Sequence, residues 1–492
     1  MKNRPYSQLA LAFAAGFLSV LGFAPFEVFV APLIGLTLLF YLWQCSTSSG
    51  RQFALGLSFG LGLYGFGIYW IYISLHEFGG MPWWFAGFCT FCLCAFMALF
   101  PALVGYLSRR IGWVFLTAPL LWGVSDWVRG WIFTGFPWLT LGYSQVPNSP
   151  LVGFMPIVGA YGVSTIVALI ASILAFVFVR QSTSLLKVKA LVAVSVIAIL
   201  GLLLKQIEWT TPTGQPLKVA LLQGNVSQSI KWSPEVAQST ITQYLKMVEQ
   251  SDAQLIVLPE TALPVIAQQL DQQVIQRITQ HAQKQNGDVL VGLVQYDAED
   301  QSYFNSAISF GSAPVQAYSK IHLVPFGEFI PLKAVFGWIY RDWLNIPLSD
   351  LTRGKQQAPM QLAGQQVAVN ICYEDVFGEE IIHPLPEATL LVNMSNDAWY
   401  GKSFAAVQHM QFSQARAIET GRMMLRATNT GATAIIDQHG KVLAHAPHDT
   451  QMTLTGKVLG YQGTTPYVWW GNWPFIVLSF SVIAFVLWRK TK

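Results

Sequence analysis

Eight blocks of apolar residues, near 9–23, 28–43, 54–75, 84–107, 113–128, 154–179, 190–204 and 475–488, limit what this chain can fold into more than any other feature. A helix that crosses a bilayer needs roughly 17–25 apolar residues. Some blocks reach that length and the shorter ones fall below it. Only 11% of the 492 residues are charged, against about 25% in a soluble globular chain, so much of the chain is expected to face lipid. The first block, with Lys2 and Arg4 ahead of it, has the outline of a signal peptide. Further blocks follow closely, so it reads as a retained helix.

The basic residues orient these blocks. If the N-terminus is cytoplasmic, that side receives Lys2, Arg4, Arg51, Arg109, Arg110, Arg180, Lys187, Lys189, Arg489, Lys490 and Lys492, and the other keeps Arg129 and Lys205 near span ends. This is the bias of the positive-inside rule. The expected organisation is a seven-helix membrane region over 1–205, an extracytoplasmic domain over 206–472, and a final membrane helix with a cytoplasmic tail over 473–492. The net charge of +4 comes with no Lys/Arg-rich run beside an aromatic RNA-type motif, so nucleic acid is not an expected partner. Cys45, Cys89, Cys92 and Cys94 lie in or beside apolar blocks, and Cys372 is the one cysteine of the polar region. A disulfide within that region is therefore impossible. An unpaired thiol on an oxidising side is a liability unless it is buried or used.

Between about 218 and 458 the pattern changes to short β runs (VALLQGN, AQLIVLPE, DVLVGLVQY, NSAISFG, VAVNICYE, TLLVNMSN, GATAIID) separated by helical stretches near 233–250, 272–285 and 404–422. Ser233 has the character of an N-cap, with Pro234 at the first helical position. Such alternation predicts an α/β sandwich. Several apolar strands end at polar residues, among them Glu260, Cys372 and Asn396, and α/β sheets gather ligands at the carboxyl ends of strands.

Three motifs then stand out: LPETALP with Glu260, YSKIHLVPFGEF with Lys320 and Glu328, and VNICYED with Cys372. A thiol titrates near pH ~8.5 and reacts as thiolate. A carboxylate can take its proton, and an ammonium can stabilise the thiolate and then a tetrahedral oxyanion. Each residue also has a bland reading: a helix-capping acid, a surface charge, and a small buried hydrophobe. Taken together, the three motifs resemble the nitrilase (carbon–nitrogen hydrolase) superfamily over about 217–457. That resemblance implies a four-layer αββα sandwich with Glu260 as general base, Lys320 as thiolate and oxyanion stabiliser, and Cys372 as nucleophile.

Such a domain, set between seven apolar spans and one, is similar to the bacterial apolipoprotein N-acyltransferase family. FTGFPWLTLGYSQ at 133–145, QGNVSQSIKW ending at Trp232, HLVPFGEFIPL, ICYED and SNDAWYG at 395–401 carry the likeness. It implies supporting roles for Trp232, Asn305, Glu328, Tyr373 and Glu374, and leaves Asp375 unassigned. It further implies a bacterial inner-membrane enzyme, monomeric and without metal or cofactor. Its acyl donor would be a membrane phospholipid, and its acceptor the N-terminal diacylglyceryl-cysteine of an apolipoprotein. The residues alone support less: a thiol acyl-transfer site at the outer surface of a membrane. Two other readings stand beside it. A membrane-tethered amidase or nitrilase would use water as acceptor. A transporter or receptor with a dead sandwich would be expected to lack Glu260, Lys320 or Cys372, and all three are present.

Other features read as structure. GLGLYG at 60–65 matches a nucleotide-loop pattern but lies inside an apolar span with no preceding strand, so it reads as helix packing. His322 invites a Cys–His pairing, but the Glu–Lys–Cys pattern already supplies a base. No H-e-x-x-H or C-x-x-C metal pattern occurs in the polar region. Asp126 and Arg129 have helical i,i+3 spacing; an intramembrane functional pair and an interfacial orienting pair are both open. Aromatic residues crowd the segment after Glu328, including Trp338, Tyr340 and Trp343. They read as core or, slightly preferred, as an apolar lid dipping into lipid. The charge bias makes one direct prediction. A reporter active only outside the cytoplasm should be active when fused after Asn472 and silent after Lys492, and the reverse pair of results would invert the topology.

Overall fold

A computed structural model describes residues 5–178, 183–228, 230–338 and 350–492. The chain divides into two compact units, one formed by Met1–His76, Pro82–Glu208 and Thr465–Lys492, the other by Glu77–Met81 and Trp209–Thr464.

In the first unit every apolar block is helical: Pro5–Val20, Val30–Gln44, Ser49–Gly67, Trp83–Ile111, Val114–Arg129, Met155–Val177, Ser184–Leu204 and Trp473–Thr491. Four helices among the described residues are long and apolar enough to cross a membrane: Trp83–Ile111, Pro150–Val177, Ser184–Leu204 and Trp473–Thr491. The pair Ser49–Gly67 and Ile71–Phe78, bent by 58°, makes a fifth if it counts as one span. Pro5–Val20 and Val30–Gln44 are apolar but have only 16 and 15 residues. The glycines of the 49–67 helix serve packing. A Cβ at Gly62 would lie 2.1 Å from the Phe13 carbonyl oxygen, and one at Gly60 2.6 Å from the Ala98 Cα. Small residues let these backbones approach, as helices in lipid require.

Asp126 and Arg129 are both buried in this unit. Arg129 donates to Asp126 Oδ1 at 2.6 Å, to the Trp138 carbonyl at 2.9 Å and to Thr140 Oγ1 at 3.1 Å. Ser164 donates to Asp126 Oδ2 at 2.7 Å. The segment after this helix leaves regular structure, and its free carbonyls need donors where water is scarce. The guanidinium supplies them, so the pair anchors the 136–140 turn. Arg129→Met would leave a buried carboxylate and two carbonyls without that donor. It should destabilise the first unit by about 3–5 kcal/mol, read as a lowered midpoint of thermal unfolding in detergent. Arg129→Lys should recover only part of the loss, because an ammonium lacks the guanidinium fork.

Among its described residues the second unit contains twelve strands: β1 (Thr210–Gln223), β2 (Leu255–Val257), β3 (Asp288–Asp297), β4 (Ser302–Gly311), β5 (Ala317–Ser319), β6 (Met360–Leu362), β7 (Gln365–Ile371), β8 (Leu390–Ser395), β9 (Met424–Thr428), β10 (Ala434–Ile436), β11 (Val442–His445) and β12 (Met452–Gly463). They form two six-stranded sheets, ordered β12-β1-β2-β3-β4-β5 and β11-β10-β9-β8-β7-β6. The period-2 alternation of strands sorts their side chains. Val219, Leu221, Val257 and Leu290 of the first sheet share one core with Val367, Val369, Val392 and Leu425 of the second. Ala220, Leu222, Val289 and Val291 turn the other way, onto Tyr244, Leu245, Ile278 and Ala282 of helices Pro234–Glu249 and Gln272–Lys284. Helix Ala405–Thr420 packs against β9 of the second sheet through Ser413 and Arg426, which completes an αββα sandwich.

Some elements depart from expectation. β1 begins at Thr210, well before VALLQGN, and β5, β6, β9, β11 and β12 were not foreseen. β12 (MTLTGKVLGYQG) mixes exposed and buried positions with three glycines, so it lacks the apolar run that marks the central strands. Ser233 occupies the N-cap position, but its side chain makes no cap hydrogen bond. Of the aromatic segment, Trp338 ends the helix Lys333–Trp338 with its side chain outside the described residues, as are Tyr340 and Trp343 altogether.

Candidate active site

Glu260 stands on the turn that follows β2. That turn lies against β3 where β3 has no side chain: a Cβ at Gly292 would sit 2.2 Å from the Pro259 carbonyl oxygen and 2.6 Å from the Thr261 nitrogen. Lys320 directly follows β5, and its backbone N–H donates to the Asn305 carbonyl on β4 at 2.8 Å. Two strand ends are thereby brought together. Lys320 Nζ donates to Glu328 Oε1 at 2.9 Å and lies 3.4 Å from Glu260 Oε1. Asn305 Nδ2 bridges the two acids, at 2.7 Å from Glu260 and 3.0 Å from Glu328. Lys320 is 1% exposed, Asn305 3% and Glu260 7%. Burial opposes a charge on Lys320, but Glu328 and then Glu260 hold its ammonium well above the usual lysine value.

Cys372 follows β7 and is buried. Its φ of 54° is in the left-handed region, which costs a residue bearing a Cβ and persists only where the surroundings enforce it. Burial and the Glu260 carboxylate push the thiol well above its ordinary value, against the pull of Lys320. Chemistry through a Cys372 thiolate would therefore need a base to take the thiol proton.

Glu374, two residues on, ties the nucleophile turn to the lysine. Its carboxylate accepts from the Ile371 N–H at 2.6 Å, from the Ile321 and His322 N–H groups at 2.6 and 3.1 Å, and from the Tyr318 hydroxyl at 2.9 Å. Burial raises this carboxyl to about 7 while those N–H groups and Lys320 work the other way. Tyr373 is buried, edge-on to Phe377 at 5.0 Å. His322 stacks on Phe377 at 3.7 Å and meets Glu380 at 2.7 Å through Nδ1, so it has a local structural place. The ring of Trp232 is 52% exposed, on the turn before helix Pro234–Glu249.

Sequence reasoning missed the group beneath Cys372. His409 donates from Nδ1 to Asp397 Oδ1 and from Nε2 to Asp375 Oδ1, both at 2.8 Å. Arg426 donates to Asp375 at 3.0 Å and to Asp397 at 2.9 Å. All four are buried. His409 Nε2 and Asn393 Nδ2 each lie 3.1 Å from the Cys372 carbonyl oxygen, so this quartet fixes the backbone that the nucleophile stands on. Asp397, though buried, is held down to about 2 by Arg426 and His409. Burial and Arg426 oppose the charge on His409, but the two aspartates raise it to about 9. The only advance signal was Asp375 and Asp397 standing next to recognised motifs.

These values give a signed pH prediction. His409 titrates at about 9 in the fold against an ordinary 6.5. Its stabilisation is complete below the lower value and disappears as pH rises through the upper one. The gap in melting midpoint between the protein and His409→Gln should be widest at mildly acidic pH and close on the alkaline side; a gap independent of pH would show that the imidazole is not charged.

Residues 15–173 match the family described as "Apolipoprotein N-acyltransferase N-terminal domain", and residues 218–462 match "Carbon-nitrogen hydrolase". Curated relatives named apolipoprotein N-acyltransferase include one from Nitrosomonas europaea, 48% identical with 98% of this chain and 96% of that protein covered. Another, from Chromobacterium violaceum, is 42% identical with 98% and 94% covered. Among solved structures, Saccharomyces cerevisiae Nit3 of the nitrilase superfamily is 17% identical, covering 52% of this chain and 94% of its own, with a TM-score of 0.38. With near full-length identity at this level, the chain belongs to the apolipoprotein N-acyltransferase family.

Proposed function

We propose that this chain moves an acyl group from a membrane phospholipid to the α-amine of the diacylglyceryl-cysteine at a lipoprotein N-terminus, through a thioester on Cys372. The observation that carries the mechanism is a buried, protonated thiol acted on by both the Glu260 carboxylate and a Lys320 ammonium that stays charged. Glu260 takes the thiol proton as sulfur attacks the ester carbonyl. Lys320 stabilises the oxyanion. The ester C–O bond breaks, the proton passes from Glu260 to the lysophospholipid oxygen, and the acyl group remains on sulfur. The amine then attacks the thioester, and the thiol is regenerated as the amide forms. Glu328 and Asn305 hold Lys320 and Glu260 in register, and Glu374 holds the nucleophile turn against the lysine loop. Tyr373 supports that turn from beside Cys372, and Trp232 offers its exposed ring to the substrates.

The same reading extends to topology. The eight apolar helical segments span the bacterial inner membrane, seven within 1–205 and one within 473–492, with both termini cytoplasmic and 206–472 on the periplasmic side. The enzyme works as a monomer, a reading that fits the whole cluster coming from one chain.

Acyl-labelled phospholipid alone should label the full-length protein. Neutral hydroxylamine should remove the label, and a diacylglyceryl-cysteinyl peptide should take it up as an amide. Cys372→Ala should abolish labelling, and Lys320→Met should slow it by on the order of 10²–10³, the usual cost of one oxyanion donor. Label that survives in Cys372→Ala, or that leaves mainly as free fatty acid while the peptide is present, would refute the proposal; the second result would make the protein a hydrolase.

A further inference from the structure

Lys231 has no part in the reaction above, yet it reaches the turn that carries Glu260. It is 2% exposed, and its Nζ donates at 2.9 Å to the hydroxyl of Thr261, the residue after Glu260. Thr261 is held at a φ of 44°, a conformation that a β-branched residue adopts only where its surroundings enforce it. β3 enforces it from one side. The Gly292 carbonyl accepts from the Leu263 N–H at 3.4 Å, and the Thr261 nitrogen occupies room that a Cβ at Gly292 would need. Lys231 grips the same residue by its side chain. Its hold is on this hydroxyl and not on the Glu260 carboxylate, so it acts on the base through the backbone.

Lys231 belongs to the loop after β1, and the first part of that loop is fastened to the sheet that leads to Cys372. Asn429, directly after β9, accepts from the Asn225 N–H through its carbonyl at 2.8 Å and from the Val226 N–H through Oδ1 at 3.0 Å. Its Nδ2 donates to the Val226 carbonyl at 2.8 Å. Asn396, directly after β8, donates to Gln228 Oε1 at 2.6 Å. Both asparagines are buried. Further along the same loop, Lys231 takes hold of the Glu260 turn on the other sheet. The loop is thus a strap between the nucleophile's sheet and the base. Resting on the acyl-transfer reading, in which Glu260 takes the thiol proton, we propose that Lys231 is a positioning residue, the pin by which this strap fixes the Glu260 turn at its working distance from Cys372. A base must stand within hydrogen-bond reach of the proton it takes, and a misplacement of about 1 Å can lower a rate by on the order of 10².

The test is the rate constant for thioester formation when full-length protein meets acyl-labelled phospholipid in a single turnover. An unfolded fraction lowers the amplitude of that reaction, whereas a misplaced base lowers its rate constant. Lys231→Met and Thr261→Val each remove the bond with little change in side-chain size, and each should lower the rate constant by roughly 10–10²-fold. Both remove the same bond, so the double variant should be no slower than the slower single one. Thr261→Ser keeps the hydroxyl and should retain most of the rate. Losses that multiply in the double variant, a Lys231→Met protein with the unmodified rate constant, or a Thr261→Ser protein as slow as Thr261→Val would overturn the role. If Lys231→Met does not fold, the two Thr261 variants decide, and the role stands only if Thr261→Val is the slower. If the unmodified protein forms no thioester, the acyl-transfer reading falls and the role of Lys231 with it. A thioester that forms normally, together with any overturning result, removes Lys231 alone.

Discussion

The buried quartet of Asp375, Asp397, His409 and Arg426 is the interaction on which the polar unit most depends. Four ionised groups out of water are tolerable only when each faces opposite charge and its remaining donors and acceptors are filled. Opposite charges meet across three separate parts of the fold, the turn after β7, the turn after β8, and β9 with the helix before it, and of the guanidinium's nitrogens only Arg426 Nε is left without a partner among the described residues. Such an arrangement works all or none. Misalign one strand and an unpaired charge is left in the core. The quartet therefore selects the register of β7, β8 and β9 more sharply than their aliphatic side chains do, and the carbonyl of Cys372 is held by the same groups.

Above this foundation Glu260, Lys320 and the Cys372 turn are held in place by other polar side chains. Glu374 gathers three backbone N–H groups and a phenol, and so turns two separate loops into one rigid piece. Glu328 and Asn305 do the same for Lys320 and Glu260. Charges fixed in advance need no reorganisation when an oxyanion appears, which is where enzymes find much of their rate. Gly292 contributes by having no side chain, since any Cβ there would displace the Glu260 turn.

The central strands and the Glu260 and Cys372 motifs were legible because each ends an apolar run with a polar residue, a local pattern, whereas Lys320 stood out only through the YSKIHLVPFGEF motif around it. The helix near 404–422 was also legible as a helix, but not its place in the fold. Gln408, His409, Ser413, Gln414, Arg416 and Glu419 are polar, yet all are buried, and His409, Ser413 and Gln414 find partners in distant segments. Lys231 was hidden for the same reason: burial is a tertiary property, and a lysine beside a tryptophan carries no local sign of it. The short helices Pro5–Val20 and Val30–Gln44 mark the opposite limit, where composition reads clearly and length leaves the span undecided.

The pairing of β1 with β12 has a consequence for the order of folding. Thr210 lies opposite Gly463 and Gln223 opposite Met452, so the first strand of the unit waits on one flank for the last. Closing so long a loop is slow, and pairings of high sequence separation are late events. During synthesis and translocation β1 would present an open edge, suited to pairing with other chains. The proline and glycine within it, Pro212 and Gly214, and the register shift between Thr213 and Leu217 interrupt that edge and make it a poor template for aggregation until its true neighbour arrives.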